Sequence, residues 1–388
     1  MTSEFTYLDY AASAPVRKEA YAAMQEYREK PFAGANPNSL HSLGRMAAQE
    51  LEASRKRIAQ ALGGGFRPTD IVFTSGGTEA NNLAIYGIAQ AVHKKDPART
   101  KVIFSAIEHD SVLDLVPAMR ERGFEVVLVP PQSDGTVHPE DLQKHMDERV
   151  ALVSIMYANN ETGIINDVDA LARVAHTHQA AFHTDAIQAF GRVPLVLDQV
   201  DALSIASHKI GAPIGVGVLA LRRNCPFKAQ TFGGGQELGR RPGTQDVQAA
   251  YVFSKIAQMV VEQMDVVRPQ VAALAQKVYD RLCVENSHIL PTTTATMDQY
   301  RLPGLVSIVV DGLDSETLVL QLDAAKFEVS AGSACSSASL DPSHVLTAMG
   351  IPRALAFGSL RISFDERVSP EALDAFCDTL LQIVKTYR

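Results

Sequence analysis

The chain has 388 residues, and its 36 Lys+Arg against 44 Asp+Glu leave a net charge of −8. That length predicts two or three domains, and the acidic balance excludes a nucleic-acid binder, which needs a basic face to neutralise phosphates. A composition of 46% hydrophobic and 21% charged residues is globular, and no apolar run approaches the roughly 18 residues of a membrane helix.

The N-terminal stretch carries Glu4 and Asp9 where the apolar core of a signal peptide would fall. Cys225, Cys283, Cys335 and Cys377 lie far apart and form no CxxC. That spacing argues against a disulfide framework and a structural zinc site. The expected setting is reducing and cytoplasmic.

Along the chain, strand-like runs alternate with helix-like ones. Ile71–Thr74 precedes an amphipathic stretch, Glu79–His93. Val102–Ser105 precedes a helix over Ser111–Arg122, and Val126–Val129 follows. Then come a strand at Leu152–Met156, a helix at Val168–His178, and strands at Ala181–His183, Leu203–Ala206 and Gly215–Leu221. This alternation predicts an α/β fold around a mostly parallel sheet covered on both faces. The last third differs. A long helical pattern from about Val247 to Leu282 leads to a strand at Val306–Val310, a helix near Ser315–Leu322 and a C-terminal helix after Pro370. These suit a smaller α+β domain, with the long helix as the bridge. Two loops stand out: the glycine-rich Thr231–Thr244, and Ser330–Ser339, made almost wholly of small residues. Such loops often carry function.

Four motifs carry chemistry. Thr74-Ser-Gly-Gly-Thr-Glu79 joins a predicted strand to a predicted helix. Its glycines admit a close anion, and the helix start offers free N–H groups, so Gly77 and Thr78 are candidates for phosphate. The plain alternative is an ordinary turn with a threonine cap. Ser207-His208-Lys209 ends a strand. Lost hydration there favours a neutral, nucleophilic lysine, although an isolated lysine at a strand end is commonly just a surface residue. His183-Thr-Asp185-Ala-Ile-Gln188 puts Asp185 at a strand's C-terminal end, where open α/β sheets bind ligands. A carboxylate there suits a protonated ring nitrogen such as that of pyridoxal phosphate. The rival is a metal site drawing on His176, His178, His183 and Asp185, but no partner cluster accompanies them. Cys335 sits in Gly332-Ser-Ala-Cys-Ser-Ser337. Its neighbours offer no core face, so it reads as an accessible nucleophile, whereas Cys283 and Cys377 read as core residues. Gly215-Val-Gly-Val-Leu-Ala220 matches GxGxxA but runs into a strand, so it is no dinucleotide site.

Taken together, these motifs resemble the cysteine desulfurases of the class-V aminotransferase group, in the NifS/IscS-like branch. The resemblance spans Tyr7–Pro15, Gly34–His41, Thr74–Asn82, Glu108-His109, Asn159–Gly163, Asp185–Gln188, His208-Lys209, Arg241–Thr244, Ser330–Leu340 and Ser359–Arg361. It implies a fold-type-I pyridoxal phosphate (PLP) enzyme. A large domain over residues 16–255, with a seven-stranded sheet, would bind the cofactor. Residues 1–15 and 256–388 would form the small domain that carries the cysteine loop.

The resemblance also implies roles. Lys209 would hold PLP covalently and later move the substrate's Cα proton. Asp185 would pair with the ring nitrogen, and His109 would stack on the ring and assist proton transfer. Gln188 and Asn160 would contact the ring oxygen and the substrate. Gly77, Thr78 and His208 would bind phosphate, and Thr244 would reach the partner subunit's cofactor in a homodimer. Arg361 would grip the carboxylate of L-cysteine. Cys335 would take the sulfur as a persulfide, release L-alanine, and pass the sulfur to an acceptor protein. The long serine-rich loop resembles the branch that supplies iron–sulfur scaffolds.

The sequence departs from the common pattern at Ala206, where a serine often binds phosphate and where Ser207 is expected to substitute. It departs also at Ile214 and Pro242. The end at Arg388 implies a weaker scaffold contact, if relatives dock on a C-terminal extension. Competing readings are a selenocysteine lyase or related PLP β-lyase, an inactive scaffold subunit of the same fold, and a cofactor-free thiol hydrolase. A lyase needs no protein thiol, and the hydrolase leaves Lys209 and Asp185 without a role.

Overall fold

The computed structural model describes residues 5–284, 286–294, 296–332 and 341–387. The chain opens with a short strand, β1 (Thr6–Tyr7), and two helices, α1 (Lys18–Arg28) and α2 (Ser42–Leu62). The predicted alternation follows: β2 (Ile71–Thr74), α3 (Gly77–Lys95), β3 (Lys101–Ser105), α4 (Asp110–Leu113), α5 (Leu115–Glu121) and β4 (Glu125–Val129). Next come α6 (Pro139–Gln143), β5 (Val150–Ser154), α7 (Val168–Thr177), β6 (Ala181–Asp185), β7 (Ala202–Ala206) and β8 (Gly217–Leu221). The helix expected over Ser111–Arg122 is two short ones, because Asp114 serves as the C-cap of the first and the N-cap of the second. The strand expected at Leu152–Met156 lies two residues earlier.

Strands β2 to β8 form one seven-stranded sheet in the order β2-β8-β7-β6-β5-β3-β4. Only β8 runs against its neighbours, β2 and β7. Strands β5 to β8 are buried at every position, as expected of a sheet covered on both faces. Alternate residues feed separate cores. Ile71, Phe73, Ile103 and Leu203 join one face with α2 and α7, while Val72, Val102, Phe104 and Leu219 join the other with α3. The crossover from β2 to β3 spans five strand spacings, about 24 Å. Helix α3, at 19 residues and about 28 Å, is long enough to bridge that distance.

The long helix α8 (Val247–Tyr279) starts from an Asp246 cap. Its first half, to Val260, packs into the large-sheet core, and its second half, from Val271, into a separate core. The regular helix stops at Tyr279, three residues short of the expected end, where a wider turn over Asp280–Val284 takes over. Beyond it lie β9 (Ile289–Pro291), β10 (Leu305–Val310), α9 (Ser315–Ala324), β11 (Phe327–Glu328), β12 (Ser330–Ala331), α10 (His344–Ala348), α11 (Arg353–Ala356), β13 (Ser359–Ser363) and α12 (Pro370–Thr386). A second sheet has the order β12-β13-β10-β9. The N-terminal strand β1 pairs with β11, and Leu8 is buried in this second core.

Candidate active site

The parallel strands share one carboxyl edge, and five of the sequence motifs project from it. There β2 runs into the Gly77 turn, β3 into Glu108-His109, β5 into Asn159–Gly163, β6 ends at Asp185, and β7 runs into Ser207-His208-Lys209. This is the edge where open α/β sheets bind ligands. A cleft of about 640 Å³ opens here, lined among others by Gly77, Thr78, His109, Asn160, Gln188 and His208, with Asp185 and Lys209.

Lys209 sits in a short turn of 3-10 helix, Ser207–Ile210. Its Nζ donates to the carbonyls of Ala11 and Ala12, both at 2.8 Å. Burial, with the positive charges of Arg361 and Arg192, pushes its pKa down to about 8; Asp185 and Asp9 pull the other way. Its two neutral acceptors, with no carboxylate in contact among the described residues, favour the free amine. Next to it, burial and the Lys209 charge lower His208 to about 4. That histidine is neutral at physiological pH, with Nδ1 at 3.2 Å from Ser13 Oγ.

Asp185 is 4% exposed. Its Oδ2 accepts from Asn81 Nδ2 at 2.7 Å and its Oδ1 from the Ile187 N–H at 2.9 Å. Burial raises its pKa against these bonds and the nearby His109 and Lys209. A buried carboxyl with two neutral donors has its charge unmet and suits a cationic partner. His109 caps α4, its Nδ1 accepting from the Ser111 N–H at 3.0 Å. Gln188 donates to the Ala11 carbonyl at 2.9 Å and accepts from Arg192 at 3.1 Å.

The same cleft also offers an anion seat. Helix α3 begins at Gly77, where a Cβ would meet Ile187 Cδ1 at 2.1 Å, so any larger residue would have to displace the Ile187 side chain beside Asp185. Thr78 follows in the first turn, where N–H groups have no partner within the helix. An anion seat, a buried carboxylate and an amine of lowered pKa in one cleft fit the phosphate, ring nitrogen and aldehyde of PLP.

Several expected residues fall elsewhere. Ser207 does not line the cleft: its hydroxyl donates to the Pro213 carbonyl, while Ala206 faces the cleft. Ser207 therefore does not replace the missing phosphate-binding serine. Thr244 is exposed and lies outside the cleft of its own chain. Arg361 is 2% exposed. Its Nη2 donates to Asp9 Oδ1 at 2.8 Å and its Nη1 to the Asn160 carbonyl at 2.9 Å, while Nε has no partner among the described residues. Cys335 lies outside the described residues. The histidines near Asp185 are taken up separately: His183 sits between Ser154 Oγ and Ser204 Oγ at 2.8 and 3.0 Å, His176 pairs with Asp201 at 2.8 Å, and His178 meets Gln143 at 3.0 Å.

The sequence reading missed the residues that hold these groups. Asn81 and Asp9 stand inside quoted motifs without a role, and Arg192 follows Gln188 by one helical turn. Glu108 is fully buried, accepts from Ser105 Oγ at 2.5 Å and the Met156 N–H at 2.7 Å, and is pushed by burial up to about 8. A lone polar or charged residue beside an apolar run was the available signal for each.

Architecture and cleft together define a fold-type-I α/β enzyme with a lysine–aspartate site. Comparison with known proteins places it further. The class-V aminotransferase profile matches residues 6–376. The cysteine desulfurase IscS of Dictyoglomus turgidum is 37% identical over 392 aligned residues, covering 98% of this chain and 95% of that protein. The structure of a NifS-like protein superposes with a TM-score of 0.87 at 30% identity, covering 98% of this chain and 100% of that one. A structure of SspA in complex with cysteine does so at 0.78 and 30%, covering 92% and 98%. The chain belongs to the class-V aminotransferase family, in its cysteine desulfurase group. No helix among the described residues is long and apolar enough to cross a membrane.

Proposed function

We propose that this chain binds PLP in the cleft at the carboxyl edge of the large sheet and converts L-cysteine to L-alanine, leaving the sulfur as a persulfide on Cys335. The observation that carries the reading is that Lys209, Asp185 and the Gly77-Thr78 turn line one cleft. Bound there, PLP supplies an electron sink for charge developing at the substrate's Cα. Asp185 would hold the ring nitrogen in its protonated form, with Asn81 and the Ile187 N–H fixing the carboxylate. Gly77, Thr78 and His208 would hold the phosphate.

Lys209 would be the base that removes the Cα proton and later returns one; its low pKa suits that task near neutral pH. His109 would stack on the ring and assist proton transfer, and Gln188 and Asn160 would contact the ring oxygen and the substrate. Arg361 would take the substrate carboxylate through its guanidinium. The thiolate of Cys335 attacks the substrate sulfur. The Cβ–S bond breaks, its electron pair stays on Cβ and is protonated, and an S–S bond forms: L-cysteine plus thiol gives L-alanine plus persulfide.

The exposed position of Thr244 supports a contribution to a second subunit's cofactor, and hence a homodimer. The two separate cores support a large unit of residues 16–255 and a smaller one of 1–15 with 256–388. An acceptor protein, such as an iron–sulfur scaffold, would then take the persulfide sulfur in a cytoplasmic setting. A selenocysteine lyase is not favoured, given relatives named as cysteine desulfurases. The test is the visible spectrum before and after L-cysteine, with alanine measured in the wild type and in Cys335→Ser. We expect a band that shifts in both and alanine turnover only in the wild type. Full turnover by Cys335→Ser would refute the persulfide route, and a colourless protein after added PLP would refute the cofactor.

A further inference from the structure

Both ends of one segment converge on a single buried carboxyl. Strand β12 leads into residues 333–340 and pairs with β13, with Ser330 opposite Arg361. Gly332 follows, and a Cβ built on it would lie 3.5 Å from Glu161 Oε2. On the far side of the segment, Ser343 caps α10. Its Oγ accepts from the Leu346 N–H at 3.2 Å and donates to the same Glu161 Oε2 at 2.5 Å. Glu161 and Ser343 are 4% and 1% exposed.

The neighbouring contacts reach the cleft. Asn160, one residue before Glu161, accepts from Arg361 through its carbonyl. His344 Nε2 donates to the Glu108 carbonyl at 3.0 Å, one residue before His109. Val345 and Leu346 pack with Ile107 and Met156. A buried carboxyl adds little net stability over an apolar residue of similar size, so the use of one at this junction is a matter of geometry. Asn159 fixes it from behind, its Oδ1 accepting from the Glu161 N–H at 2.9 Å.

We propose that Glu161 is a positioning residue: it anchors the exit of the Cys335-bearing segment through Ser343, close beside the entry at Gly332, and sets it in register with Arg361 and Asn160. The proposal rests on the desulfurase reading above. Cys335 lies three residues past Gly332 and eight before Ser343, so the placement of these two ends limits where its sulfur can reach. Loss of the tie would slow the sulfur-transfer step and leave binding of cofactor and cysteine intact.

The test uses the holoenzyme and the variants Glu161→Ala, Glu161→Gln and Ser343→Ala. Three quantities are read: kcat and KM for L-cysteine, cofactor retention by absorbance, and the rate at which iodoacetamide alkylates Cys335, followed by mass spectrometry. We expect Glu161→Ala to lower kcat about tenfold or more, since misplacement of a reacting group by an ångström costs that much. KM and cofactor retention should stay within about twofold and Cys335 alkylation should change by about threefold or more. Glu161→Gln keeps an oxygen for the Ser343 hydroxyl and should return kcat to within about threefold of wild type. Unchanged kcat and alkylation in Glu161→Ala would overturn the proposal. So would KM and cofactor retention failing in step with kcat, or Glu161→Gln failing as badly as Glu161→Ala. Should Glu161→Ala not fold, Ser343→Ala decides alone by the same kcat and alkylation criteria. A wild-type enzyme that forms no persulfide on Cys335 would instead sink the underlying desulfurase reading. A normal wild type with indifferent variants sinks only the role of Glu161.

Discussion

The pKa of Lys209 makes the capture of cofactor a pH experiment. Burial is the main cause of its fall from 10.5 to about 8, followed by Arg361 and Arg192. Only the neutral amine attacks an aldehyde. At pH 7 a lysine of pKa about 8 is neutral in about one molecule in eleven, against about one in three thousand for an ordinary lysine, a gain of roughly 300-fold. Because the folded pKa is depressed, the reactive fraction rises about tenfold per pH unit below 8 and levels off above it. The assay strips PLP from the enzyme and follows the rate of its recapture from pH 6 to 10, referenced to a simple alkylamine in the same buffers so that titration of PLP itself cancels. Relative to that amine, the curve should bend near pH 8. Asp185 raises Lys209, so Asp185→Asn should move the bend to lower pH as well as impair catalysis. A relative rate with no bend, tracking the free amine to pH 10, would refute the argument that burial and the two arginines activate this lysine.

Two further outcomes follow from buried groups away from the cleft. Glu237 accepts from Arg55 at 2.5 and 2.6 Å and from the Phe73 N–H at 2.8 Å, so Glu237→Ala removes the bidentate partner of a buried guanidinium and leaves it Glu52 and the Ile71 carbonyl. The expected loss is about 2–4 kcal/mol in urea unfolding, and a loss below about 1 kcal/mol would mean that Glu52 and Ile71 suffice for Arg55. His183 is held neutral by burial, its pKa pushed down to about 3. The unfolded state therefore binds the extra proton between pH 6.5 and 3, and stability falls as pH falls through that window, by up to about 1.4 kcal/mol per unit from this residue. His183→Gln should flatten the acid limb of the stability curve between pH 4 and 6.5, and identical limbs in the two proteins would show that His183 is protonated in the folded state.

The candidate site groups were legible because each ends a strand or lies in the turn just after one. Asp185 closes β6, which is buried at every position, and a charged residue closing a fully buried strand has few structural reasons to be there. What holds those groups was not legible, because the contacts close over long chain separations. Asn81 reaches Asp185 across 104 residues, Ser343 reaches Glu161 across 182, and Arg361 reaches Asp9 across 352. No local pattern encodes such a pair, since either partner alone reads as a solvated polar residue. The substitution expected of Ser207 failed for a different reason. Consecutive side chains leaving a strand point to opposite sides, so the residue after Ala206 turns its hydroxyl toward Pro213 and away from the cleft. Thr78, His208 and the first turn of α3 are then the groups that this chain offers to the proposed phosphate seat. On that reading a second subunit's Thr244 would carry more of the phosphate binding than it would beside a serine at position 206.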